Sequence, residues 1–173
     1  MYNVLEVAQH VVNKSIEIEK PVTHLKLQKM LYYIQAAFLV EHGEPCFNKE
    51  FENWKHGPVV PEIYSEYRRY MNKPIKEVQE ETLEMYINTN FSLSVRRIKY
   101  NKNDFKKCDL ELIDKVIDSY QDENPWDMVK KTHEEDPWKE TYKDEIITKE
   151  SIREFFIKNK HRIYGEAYAA ATC

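Results

Sequence analysis

Apolar residues recur at helical spacing near the start of the chain. Val4, Leu5, Ala8, Val11 and Val12 fall on one face, and Asn3 stands where it caps that segment. A stronger pattern follows. Thr23 is an N-cap residue, Gly43 a stop and Pro45 a block to resumption, and residues 25–40 between them turn apolar nearly all round in their second half. A helix of that kind is normally the buried centre of a bundle. Further on, Leu110, Ile113, Val116, Ile117 and Tyr120 line one face, opposite Glu111, Asp114, Lys115 and Asp118. Asn124-Pro125 opens another helix carrying Trp126, Met128 and Val129, and Thr148 opens the last, with Ile152, Phe155 and Phe156.

The middle is less regular. Residues 50–54 alternate weakly and read as a short edge strand. Pro58 and Pro61 disfavour helical backbone at Gly57 and Val60, so the chain stays extended from 56 to 60. Pro61 then suits the first position of a third helix, with Glu62 near the positive end of its dipole. Ile63, Tyr64, Tyr67 and Met71 form its apolar face, and Pro74 ends it. Residues 75–80 and 84–88 read equally as short strands or frayed helices. The pattern as a whole predicts a mainly α fold, a compact single-domain helical bundle with a small β element around residues 50–100. The domain spans 1–160, and a small-residue-rich tail occupies 161–173.

Composition adds limits to this picture. Only 3 Gly and 7 Pro against 32% charged residues fit helices with charged outer faces. A net charge of −4 gives no global attraction to DNA or to an acidic membrane. Cys46, Cys108 and Cys173 are odd in number and lack a paired short spacing, which argues against a disulfide framework or a zinc knuckle and fits a reducing cytosol. The first residues lack a basic stretch followed by an apolar run, and the apolar stretch 30–40 is interrupted by Gln35 and too short to span a bilayer. The expectation is a cytoplasmic protein with no cofactor.

Four features invite a chemical reading. His56 lies in a connection rich in Trp, Gly and Pro, but no nucleophile motif accompanies it, so it reads as an imidazole that caps backbone groups freed by the prolines. His133 sits beside Glu134 and Asp136, yet a zinc-protease helix needs a second histidine four residues away, where Pro137 breaks the helix. It reads as a surface cluster without metal. Arg96, Arg97, Lys99, Lys102, Lys106 and Lys107, interleaved with Tyr100 and Phe105, have the makings of a nucleic-acid track. Against the acidic remainder of the chain, the same run reads as a solvated loop. On the second helix, Gln28, Tyr32 and Gln35 lie along one line, and Lys26, Lys29 and Tyr33 along another. Polar groups on a buried helix need partners, so these either bond the 54–61 connection or face a binding groove.

Three blocks carry a family resemblance: residues 25–35 (LKLQKMLYYIQ), 51–64 (FENWKHGPVVPEIY) and 132–138 (THEEDPW). Their order and spacing resemble the Panacea domain, the SocA-like antitoxin family, whose members are also met as phage-associated proteins. The Trp54–Pro61 block is the most specific. The motif positions are Gln28, Lys29, Tyr32, Tyr33, Gln35, Trp54, His56, Gly57, Pro58, Pro61, Tyr64, His133, Pro137 and Trp138. Met30, Ile34 and Ala36-Ala37 depart from the family's second-helix run, and Asn53 stands where a small apolar residue is expected. The resemblance implies a mostly helical antitoxin that neutralises a cognate toxin by direct contact. The family's namesake also delivers its toxin to a cytosolic protease.

This resemblance and the residue-level reading agree on a binding protein rather than an enzyme. Twelve tyrosines exceed what the core of such a chain needs, and tyrosine and arginine are favoured interface anchors. The alternatives are a phage-borne inhibitor or adaptor that binds a host protein, and a nucleic-acid binder acting through residues 96–107.

Overall fold

The computed structural model describes residues 1–165. In chain order the elements are α1 (Val4–Glu17), α2 (His24–Glu41), β1 (Phe51–Trp54), β2 (Gly57–Val59), α3 (Pro61–Tyr67), β3 (Glu81–Ile87), β4 (Leu93–Lys99), α4 (Lys107–Tyr120), α5 (Pro125–His133), α6 (Asp136–Lys139), β5 (Ile146–Ile147), α7 (Lys149–Lys158) and α8 (His161–Tyr164). Helix α2 is the axis of the molecule. It contacts α1, α3, α4, α5, α7, α8 and β2, and every residue from 26 to 39 is buried. An apolar helix has to be enclosed in this way, because no face of it is suited to water.

Helix starts follow their caps. The Asn3 side chain accepts from the Leu5 amide at 2.8 Å, and Glu6 completes a capping box. Thr23 caps α2, Asn124 caps α5 ahead of Pro125, and Thr148 caps α7. Gly43 follows α2 at φ +73°, a left-handed conformation that costs glycine little. Pro61 is the first residue of α3. That helix is shorter than its apolar spacing predicts: it ends at Tyr67, and Met71 is exposed.

The fold is mixed α/β, and the expectation of a mainly α bundle is corrected. Among the described residues there are five strands in two antiparallel sheets. The first sheet has the order β2–β1–β5, with Trp54 opposite Gly57 and Phe51 opposite Ile147. β1 is therefore its central strand, not an edge. Its second neighbour, β5, has two residues, too few for any alternation to register. The second sheet is a ribbon of β3 and β4, seven residues each, paired from Glu81–Lys99 to Ile87–Leu93. Of residues 84–88, equally strand or helix by sequence, 84–87 contribute to it, and residues 75–80 form neither.

The core extends beyond the expected domain end. Ile163 and Tyr164 of α8 are buried, and α8 packs on α2 and α4. The rest of the expected tail, 166–173, lies outside the described residues. No helix among those residues is long and apolar enough to cross a membrane.

Candidate functional site

The three sequence blocks meet at one buried point. β2 brings Gly57 between α2 and α5, and a Cβ placed on it would lie 2.6 Å from Thr132 Oγ1 and 2.8 Å from Lys29 Nζ. Gly57 has φ +95°, so both its space and its backbone conformation call for glycine. Lys29, with no solvent exposure, donates to the Pro58 carbonyl at 2.9 Å. Gln28 closes the next step of the chain. Its Oε1 accepts from the Val60 amide at 2.9 Å, and its Nε2 donates to the Val60 carbonyl at 3.3 Å.

This pairing answers where the backbone groups near the two prolines go. Gln28 and Lys29 satisfy them, and the role expected of His56 falls to these two residues. His56 is exposed and meets Trp126 edge-on, with ring centroids 5.2 Å apart. About two helical turns beyond Gln28 and Lys29, Gln35 does similar work on another segment. Its Oε1 accepts from the Cys46 and Phe47 amides at 2.9 and 3.3 Å, and its Nε2 donates to the Phe47 carbonyl at 3.0 Å. Of the two alternatives for the polar lines on α2, internal bonding is what Gln28, Lys29 and Gln35 do.

Behind this layer lies a second polar cluster. Tyr33 donates its hydroxyl to Glu135 Oε1 at 3.1 Å, and Arg162 Nε donates to the same oxygen at 3.0 Å. Arg162 also donates to the Lys131 carbonyl at 2.9 Å. The Tyr33 ring stacks on Tyr120 at 4.6 Å, and Lys131 donates to the Tyr120 hydroxyl at 2.6 Å. Tyr32 is packed edge-on against Phe51 and Phe156, and its hydroxyl has no hydrogen-bond partner among the described residues.

Burial dominates the electrostatics here. It pushes Lys29 down to about 7, with Glu135 acting in the opposite direction. It pushes Glu135 up to about 7, against the hydrogen bond and charge of Arg162. His133 is lowered by burial and by the charges of Lys29 and His56. Its ring stacks on Trp138 at 3.9 Å, and no three His, Cys, Asp or Glu side chains gather as a metal site among the described residues.

The remaining motif residues frame this centre. Trp138 Nε1 donates to the Trp54 carbonyl at 3.1 Å, and Pro137 is buried at the start of α6. Asn53, one of the departures from the family pattern, donates to the Trp138 and Thr141 carbonyls at 2.8 and 2.5 Å, tying β1 to α6 and the segment after it. Trp54 is half-buried, stacks edge-on with Tyr64 at 4.9 Å, and helps His56 and Trp126 line a shallow surface groove of ≈ 280 Å³.

Half of the basic run is engaged by carboxylates of this chain. Arg96 donates to Glu84 at 2.5 Å, Arg97 pairs with Glu81 at 3.2 Å, and Lys107 pairs with Glu111 at 3.8 Å. Its aromatics turn inward. Tyr100 bonds His10 at 2.9 Å, and Phe105 is buried against Tyr2. Glu135 lies within a quoted block but was not singled out by sequence. Arg162 carried no sequence signal, because α8 is a single turn.

The family described as Antitoxin SocA-like, Panacea domain, matches residues 27–139, a span that contains Lys29, Gly57 and Thr132. Antitoxin SocA of Caulobacter vibrioides (strain NA1000 / CB15N) is 43% identical over 58 residues, which cover 34% of this chain and 31% of that relative. No solved structure matches the chain. With most of its length inside the family match and the matched blocks converging on one centre, this chain belongs to the SocA-like antitoxin family of Panacea domains.

Proposed function

We propose that the protein is a cytoplasmic antitoxin that neutralises a cognate toxin by direct protein–protein contact, and that it works by binding rather than by catalysis. The family match over residues 27–139 carries this reading. The geometry supports it. Side chains of the kind that do proton chemistry, Lys29 and Glu135, are both fully buried and engaged with Pro58, Tyr33 and Arg162. A general acid or base has to reach its substrate within hydrogen-bond distance or through one water. The motif residues instead brace the chain, leaving the exposed apolar and aromatic surface for a partner.

Co-expression with the product of the adjacent gene tests the proposal. The expected outcome is rescue of growth from that product and a complex that survives purification. Absence of both rescue and complex would end the antitoxin reading.

A further inference from the structure

The β3–β4 ribbon has two unlike faces. Strand alternation turns Thr82, Glu84 and Ile98 toward the body, where all three are buried. Glu84 accepts there from Asn3 Nδ2 at 3.1 Å and from Arg96 Nε at 2.5 Å. The opposite face carries Leu83, Met85 and Ile87 on β3, paired with Arg97, Val95 and Leu93 on β4. Its apolar members are open to solvent: Leu83 61%, Met85 70%, Ile87 71%, Leu93 71% and Val95 56%. Phe91, in the turn between the strands, is 93% exposed.

At about 100 Å² of apolar surface for each such side chain, the row and the turn together approach roughly 600 Å². Monomeric proteins rarely leave contiguous patches above a few hundred Å² uncovered, and a stable complex buries about 800 Å² on each partner. An isolated two-stranded hairpin is also marginal in water, and the distal half of this one has little of the body to lean on. The ribbon is built like a surface awaiting a cover.

Charge selects the cover. The row ends, at the base of the ribbon, in Arg97 and Lys99 on the same face. Glu81 is the one carboxylate on that face, and Arg97 already engages it at 3.2 Å. Lys99, Lys102 and Lys106 have no ion pair among the described residues. A second copy of the ribbon fits this poorly. With like ends together, the four cations of two Arg97 and two Lys99 share two Glu81 carboxylates that Arg97 already engages. With opposite ends together, Arg97 and Lys99 rest over Val95 and Leu93 with no carboxylate to receive them, and a desolvated unpaired charge is costly.

We infer that this face of the ribbon is where the toxin docks, through an apolar strip bordered at one end by carboxylates. The inference rests on the antitoxin reading and adds a surface to it. The test uses the purified full-length chain and the purified product of the adjacent gene, with binding followed by titration calorimetry and thermal midpoints recorded for each variant. The double substitution Met85→Lys and Val95→Lys should weaken binding at least 100-fold and leave the thermal midpoint unchanged. Lys99→Glu should weaken it about 10-fold and flatten its salt dependence.

Equal binding by wild type and the double variant would overturn the docking surface and leave the antitoxin reading standing. Failure of the wild type itself to bind would remove that reading, and this inference with it. A double variant that falls from dimer to monomer in light scattering while still binding the partner would make the ribbon a self-association surface and overturn the proposal. Should the double variant melt early, Phe91→Ala replaces it in the same titration: a loss of binding supports the proposal, and unchanged binding overturns it.

Discussion

A methyl group placed on Gly57 would lie 2.8 Å from the buried ammonium of Lys29. Lys29 is held in place on its other side by the Pro58 carbonyl, and Thr132 Oγ1 closes the gap at 2.6 Å from the same methyl. Gly57→Ala therefore meets a clash that neither neighbour can relieve cheaply, at φ +95° where an L side chain is already strained. The expected cost is about 3 kcal/mol, read as a lower urea midpoint. An unchanged midpoint would mean that the three segments do not meet as described.

Gln28 brackets Val60: its carbonyl oxygen accepts from the Val60 amide, and its amide nitrogen donates to the Val60 carbonyl, which also accepts from the Tyr64 amide at 3.0 Å. Gln28→Leu keeps much of the volume but leaves the buried Val60 N–H with no partner, while the Val60 carbonyl keeps the Tyr64 amide. One such group should cost about 1–3 kcal/mol in urea unfolding. A loss below 1 kcal/mol would indicate that the 58–60 connection finds other partners.

Burial moves Lys29 and Glu135 toward the same pH from opposite sides. Glu135 keeps its proton up to about 7 in the fold, against an ordinary 4.5. Between those values the folded state binds more protons than the unfolded chain, so this carboxyl's contribution to stability falls as pH rises. Lys29 loses its proton near 7 rather than at 10.5, so from 7 upward the unfolded chain binds more protons, and the contribution rises with pH. His24 and His133, both lowered by burial, add a rise of their own below pH 6.5, so the difference between wild type and variant is the quantity to read. Urea unfolding at pH 5, 7 and 9 should show Glu135→Gln gaining on wild type from pH 5 to 7. Lys29→Met should lose ground to wild type from pH 7 to 9. Each change is on the order of 2 kcal/mol. Parallel curves would place both groups in a wetter setting.

What the sequence made legible depended on length and on which way a pattern faced. α1, α2, α4, α5 and α7 each combine a cap residue or a long apolar repeat with enough turns for the spacing to be unambiguous. β5 and α8 are too short to have a period, which hid both the third strand beside β1 and the guanidinium that holds Glu135. The ribbon does alternate, but its apolar residues face solvent, and a reading that puts such residues inside finds no clear place for them. Lys29 was legible as a polar residue on a buried helix, which needs a partner in the 54–61 connection or a groove, since a lysine is almost never fully enclosed unless something pairs with it. Its partner is a backbone carbonyl made available by the turn at Gly57, and that depends on residues almost thirty positions away.

His56 and Trp54 separate architecture from surface within one short stretch. His56 is exposed, and the backbone groups it was expected to cap are taken by Gln28 and Lys29. His56→Ala should therefore change stability by less than about 0.5 kcal/mol. Trp54 differs because its ring covers part of Tyr64 and its indole nitrogen donates to Glu52 at 2.8 Å, yet the residue is only half-buried. Trp54→Ala should cost about 1–2 kcal/mol, less than the 3–5 kcal/mol of a fully enclosed tryptophan. Thermal melts of the two variants decide the matter. A His56→Ala protein that melts as early as Trp54→Ala would put the imidazole back among the residues that hold the connection together.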